Sequence, residues 1–173
     1  IGGDVSGGLV DAFRGGGGGD SGDSVIRDRV ERQEERLRRN PDDQAALQAL
    51  IRDYFSLAMD QRDPNTGLVP EDARDELRQA GSYWQRYLES VDEPSGDTAQ
   101  YAFRIYGPEG LGRPKEAQRA AEVMARESND VATYLVLVQT AAQAGDTRTA
   151  DLATTRAVDL APEDQKKQVK RQA

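Results

Sequence analysis

The sequence predicts an all-α fold: helical pairs stacked behind a Gly-rich N-terminal tail. Three observations carry that expectation. Apolar residues recur at helical spacing through most of positions 24–162. Pro, Gly and Asn-Pro steps interrupt the periodicity at intervals that suit short turns. Of the 173 residues only 36% are hydrophobic and 31% are charged, which suits a thin helical layer better than a thick globular core.

Positions 1–23 form the tail. They hold more than half of the 17 glycines, including the run Gly15 to Gly19, and read as a flexible linker. Two apolar islands interrupt it, Ile1 and Leu9-Val10-Ala12-Phe13. Leu9, Val10 and Phe13 are candidates for docking on another surface, with a plain spacer as the alternative. The chain begins at Ile1 and not at Met, which leaves room upstream for a signal or membrane segment.

Residues 24–173 form the helical domain. A leading helix is expected over 24–39, capped by Asp23-Ser24, with Ile26, Val30 and Leu37 on one narrow stripe. Acids (Glu31, Glu34, Glu35) precede bases (Arg36, Arg38, Arg39), the order that the helix dipole favours. Asn40-Pro41 stops this helix, because the residue before a proline disfavours the α region. The first pair spans 43–91. Its first helix carries Ala46, Leu47, Leu50, Ile51, Tyr54, Phe55 and Ala58; a long loop follows over 60–70; its second helix carries Leu77, Ala80, Tyr83, Trp84, Tyr87 and Leu88. The second pair spans 97–129, with Tyr101, Ala102, Ile105 and Tyr106 before a Gly-rich turn and Ala117, Ala121 and Met124 after it. The register of its first helix is ambiguous by one residue, and Pro114 suits the opening turn of its second helix. The third pair, 131–162, is the cleanest: two apolar-periodic helices flank Gly145-Asp146, and Pro162 stops the second. Residues 163–173 carry only Val169 as an apolar anchor and read as a polar cap.

The series Tyr134, Leu137, Ala141, Gly145, Ala150, Ala157, Pro162 resembles the helix–turn–helix unit of the tetratricopeptide repeat family, whose period is about 34 residues. Leu47, Leu50 and Tyr54, counted from Pro41, fall in the same series. Ala80, Trp84 and Tyr87 match in part, with Tyr87 where a small residue is usual. The resemblance covers about residues 40–162. It implies an α-solenoid of three pairs with a capping helix, and a groove lined by the first helix of each pair. By position that face holds Gln48, Arg52 and Phe55, then Ala102 and Tyr106, then Leu135, Gln139 and Ala142. Gln48 and Arg52 stand where chaperone-binding members carry the Lys and Asn that clamp a peptide carboxylate. The Gly-rich leader before Arg-Asn-Pro-Asp-Asp resembles bacterial members of the family with an N-terminal membrane anchor. That likeness implies a membrane-tethered or extracytoplasmic setting through an anchor not present in this chain.

Composition excludes several chemistries. Cysteine and histidine are both absent, so there is no disulfide, thiolate nucleophile, His-based zinc site or Ser–His–Asp triad. The net charge is -8 with no basic stripe, which argues against nucleic acid and favours a partner with basic patches. Gly107-Pro108-Glu109-Gly110-Leu111-Gly112 lacks the Gly-Lys-Ser/Thr ending and a preceding strand, so it reads as a turn and not a phosphate loop. Asp60, Asp63, Asn65, Thr66, Glu71 and Asp72 gather oxygens around one loop, but no count from Asp60 or Asp63 matches a calcium loop. The adjacent pairs Glu34/Glu35, Asp42/Asp43 and Asp75/Glu76 point apart on a helix and form no acid/base dyad.

The expectation is therefore a non-catalytic protein-binding scaffold without cofactor or metal. Its partner is a peptide or protein segment held by Phe55, Tyr106 and Leu135 as apolar contacts, with Gln48, Arg52 and Gln139 as polar ones. The alternative is a structural subunit that assembles into a ring or filament, its tail docking on a neighbouring copy.

Overall fold

The computed structural model describes residues 20–173, with side chains from Gly22 onward. Leu9, Val10 and Phe13, the residues expected to dock, lie outside the described residues. Among the described residues there are eight α-helices and no strand: α1 Asp20–Arg39, α2 Gln44–Asp60, α3 Arg74–Ser90, α4 Gly96–Tyr106, α5 Pro114–Ser128, α6 Val131–Ala144, α7 Thr147–Leu160 and α8 Lys166–Gln172. A 3-10 turn, Glu71–Ala73, leads into α3. No helix among them is long and apolar enough to cross a membrane.

Helix ends follow local chemistry. Asp43 caps α2 by accepting from the Ala46 amide at 3.0 Å, and Asp130 caps α6 through the Thr133 amide at 2.9 Å. Gly145 ends α6 at φ +77°; its amide and that of Asp146 donate to the Ala142 and Ala141 carbonyls, the pattern that glycine's freedom at positive φ allows. Asp146 then caps α7 through the Thr149 amide at 3.0 Å. Asn129 closes α5 in the left-handed region at φ 47°, where the repeat pattern would have a proline. α1 begins four residues before the expected Asp23-Ser24 cap. Sequence periodicity marks where apolar contact starts, and a helix can continue beyond its last contact.

Consecutive helices pack antiparallel. α1 lies on α2, with Arg29 opposite Asp53 and Arg36 opposite Asp43. α2 and α3 are joined at one end by Gln44 Nε2 donating to the Ser90 carbonyl and at the other by Gln61 near Glu76. α4 and α5 meet where the Gly96 amide donates to Glu127. α5 and α6 are linked by Gln118 Nε2 donating to Asp146 Oδ2 at 2.8 Å, and α7 reaches back by Arg156 donating to Asn129 Oδ1. α8 lays Val169 against Ala157 and Ala161.

The core is heaviest around α2, α3 and α4, where Leu47, Leu50, Ile51, Leu57, Leu77, Trp84 and Ile105 are fully buried. From α5 to α7 the buried set is mostly alanine with Leu137 and Val138. The 60–70 loop is organised by Asp63. Its carboxylate accepts from the Asn65 and Thr66 amides at 2.7 and 3.0 Å, Gly67 turns at φ +72°, and Val69 is buried beneath. The turn after α4 is equally closed. The amides of Leu111 and Arg113 donate to the Ile105 and Tyr106 carbonyls, and those of Gly110 and Gly112 to Gly107. These amides are taken up by carbonyls of the same turn and of the end of α4.

Glu34 ties the leading helix down. One carboxylate oxygen accepts from the hydroxyls of Tyr54 at 2.9 Å and Tyr83 at 3.0 Å, whose rings stack 5.8 Å apart. Burial first, then the bond to Glu34, pushes the Tyr83 hydroxyl up to about 12 and raises Tyr54 as well.

Two outcomes are expected. A Cβ at Gly110 would sit 2.3 Å from the Ile105 carbonyl oxygen, which is backbone and cannot turn aside. Gly110→Ala should cost about 1–3 kcal/mol, against about 1 kcal/mol for Gly67→Ala, where only the positive φ opposes a side chain. Urea unfolding followed by Trp84 fluorescence measures both, and equal costs would refute the close-approach argument. The raised Tyr83 value favours the neutral phenol in the fold. Its contribution is complete below its ordinary value of 10 and is lost as pH rises through about 12. The urea midpoint should therefore fall between these values, and Tyr83→Phe should flatten that fall.

Candidate functional site

Three cavities adjoin along one side of the molecule, and α4 runs through all of them. The first, about 510 Å³, is polar: Gln48 and Arg52 from α2 face Asp97, Gln100, Tyr101 and Arg104 from α4. The second, about 310 Å³, lies between Phe55 and Met59 of α2 and Phe103, Arg104, Gly107 and Pro108. The third, about 500 Å³, is walled by Phe103, Tyr106, Gly107 and Pro108 on one side and by Val136, Gln139, Thr140 and Gln143 of α6 on the other. Arg104 is shared by the first two cavities, and Phe103, Gly107 and Pro108 by the last two. The result is a groove, polar at one end and apolar at the other, lined by α2, α4 and α6.

Periodicity explains how α4 serves both sides. Ala99, Ala102, Ile105 and Tyr106 are buried against α2, α3 and α5. Residues between those positions, Gln100, Phe103 and Arg104, are turned outward by about a third of a helical turn or more. Phe103 is half-buried and Arg104 is exposed. The guanidinium of Arg104 lies 4.7 Å from the Phe55 ring centroid, a cation–π contact that fixes the charge at the groove floor. Phe55 is held in turn edge-on by Tyr101, centroids 5.6 Å apart. None of the ion pairs among the described residues uses Arg104, Asp97 or Glu109. Among the described residues Arg52 pairs with Asp53, at 3.5 Å.

The groove brings together most of the residues expected there and reassigns others. Gln48, Arg52 and Gln139 line it. Gln48 also donates to the Tyr87 hydroxyl at 2.9 Å, so it braces α2 on α3 as well. Phe55 and Tyr106 border the cavities but are only 4% exposed. The Tyr106 hydroxyl donates to the Gly81 carbonyl at 3.0 Å, and both residues are core walls more than contact surfaces. Leu135 faces away, packed on the Ala157, Ala161 and Val169 cluster near α8, and on α6 Val136 takes the groove position. Ala142 is exposed and belongs to none of the three cavities. The one-residue ambiguity in α4 is what hid Phe103: with Ala102 inward, its neighbour must face the groove. Arg104 was legible only as a surface charge. The groove lining carries both signs of charge, Arg52 and Arg104 together with Asp97 and Glu109.

Tyr106 makes a testable structural contribution. A Cβ at position 81 would meet its hydroxyl oxygen at 2.7 Å. Tyr106→Phe should cost about 1 kcal/mol through the lost hydrogen bond. Gly81→Ala should be more costly in the wild-type background than in the Tyr106→Phe background, and additive costs in this double-mutant cycle would contradict the contact.

Comparison of the chain with protein-family models, with curated proteins and with solved structures finds no match.

Proposed function

We propose that the chain is a non-catalytic binding scaffold, an α-solenoid of tetratricopeptide-like pairs (α2/α3, α4/α5, α6/α7) that holds an extended peptide in the groove along α4. The supporting observation is the groove itself. It is lined by the first helix of each pair, and it places Arg104, over an aromatic ring and outside the ion pairs of the described residues, next to an apolar cavity of about 500 Å³. An apolar wall with a few placed polar groups is how small segments are held and oriented.

The chemistry of the groove selects the ligand. Arg104 and Arg52 favour an acidic side chain at the polar end, and charged hydrogen bonds of this type are about twice as strong as neutral ones. Phe103, Val136 and Pro108 favour an aromatic or branched apolar residue at the other end. Gln139 and Gln143 can meet peptide backbone groups between them. The partner is thus a segment with an acid a few residues from a large apolar side chain. The basic partner inferred from net charge alone suits the outer surface.

Selection of displayed random decapeptides on the full chain tests the reading. Recovered sequences should share an acid near an aromatic or leucine. Val136→Asp and Arg104→Glu should each weaken a recovered peptide at least tenfold, and the Arg104 effect should shrink in high salt. Unchanged binding in both variants would place the ligand elsewhere and end this proposal.

A further inference from the structure

Resting on the reading of this groove as a peptide site, we propose that its resident occupant is the chain's own segment Leu9-Val10-Asp11-Ala12-Phe13-Arg14, bound in cis and displaced by the external partner.

The first argument is chemical. Within positions 1–22 this is the one cluster of large apolar residues, and it carries an acid between them. Asp11 lies two residues before Phe13, the arrangement that suits Arg104 beside the apolar cavity. Arg14 follows directly, and Glu109, which has no ion pair among the described residues, borders the middle cavity. Both signs of charge and the apolar anchor are therefore matched.

The second argument is reach. α1 runs antiparallel to α2, Arg29 against Asp53 and Arg36 against Asp43. Its Asp20 end consequently lies beside the Asp60 end of α2. Met59, one residue from that end, lines the middle cavity. Gly15 to Gly19 can span at most about 18 Å, whereas a helix with side chains is about 10–12 Å across. A tether of that length can carry Phe13 around α2 to the cavity. Short flexible linkers give effective concentrations in the millimolar range, so even a weak segment would fill the groove.

The probe for the test is a fluorescein-labelled peptide of residues 5–14, titrated by anisotropy into two full-length proteins. One is the wild type; the other carries Leu9→Ser and Phe13→Ser, which remove the anchors outside the helical domain. The doubly substituted chain should bind the probe at least tenfold more tightly, and adding Val136→Asp should abolish the gain. Equal affinity for both proteins would overturn occupancy by the tail while leaving the groove reading intact. Failure of the probe on both proteins, with selected decapeptides still bound, would do the same. If the wild type forms dimers with rising concentration and the doubly substituted chain does not, the occupant is a second copy and the cis arrangement is wrong. Loss of both probe and decapeptide binding would overturn the groove reading itself.

Discussion

Small side chains at the helix crossings set the geometry on which everything else depends. Ala46 and Ala58 on α2, Ala80 and Gly81 on α3, and Ala99 and Ala102 on α4 are all buried. Ala117 and Ala121 on α5, Ala141 on α6, and Ala153 and Ala157 on α7 continue the pattern. Such residues let helix axes approach toward the near end of the usual 8–10 Å range. The consequence is visible where Tyr106 crosses to α3: its ring passes 3.1 to 3.3 Å from the site of a Cβ that Gly81 lacks. Close approach has a cost in area, because each alanine contributes little apolar surface. The few large residues, Trp84 above all, must then carry a large share of the burial near α2.

Polar clamps supplement this thin core, and each one joins two elements. Asp53 is 0% exposed and is met fork-on by Arg29 at 2.8 and 2.9 Å. A buried carboxylate without that partner would be strongly destabilising, so α1 is bound to α2 by the chemistry of one residue as much as by its apolar stripe. Glu34 does the same for α1 across Tyr54 and Tyr83. Tyr87 serves the next boundary, accepting from Gln48 of α2 and from the Ser95 amide that opens α4. Gln118 and Asp146 close the boundary between α5 and α6; hydrogen bonds, the Thr149 amide foremost, hold the Asp146 carboxyl down at about 2.

The groove follows from the same economy. With the inward face of α4 filled by Ala99, Ala102, Ile105 and Tyr106, Phe103 is only partly buried, packed at the margin of two core clusters. It stands between α2 and α6 with Arg104 beside it. The closed turn at 107–112 then adds Gly107 and Pro108 as a wall, its amides bonded to the carbonyls of Ile105, at the end of α4, and of Gly107. Should the proposed peptide bind there, a wall fixed by packing would limit the energy lost to ordering.

The sequence by itself determined the all-helical class and several of the helix ends. Asn40-Pro41, Pro114, Gly145-Asp146 and Pro162 act within a few residues, and helical spacing of apolar residues is a local property, so the pairs were legible along with the turn at 107–112. Gln48, Arg52 and Gln139, named from the sequence, line the cavities along α4. Only the tertiary structure decided which side chains the groove would expose. Phe55, Tyr106 and Phe103 are all large and aromatic on paper. The crossing of α3 over α4 and the approach allowed by Gly81 bury Tyr106; Arg104 and Tyr101 cover Phe55; Phe103 stays half-buried at the groove wall. Leu135 and Val136 were separated in the same way, by where α8 folds back. Periodicity names the face of a helix, but burial of a residue at its margin depends on the angle and distance of the neighbours, and those are set by residues far away in the chain.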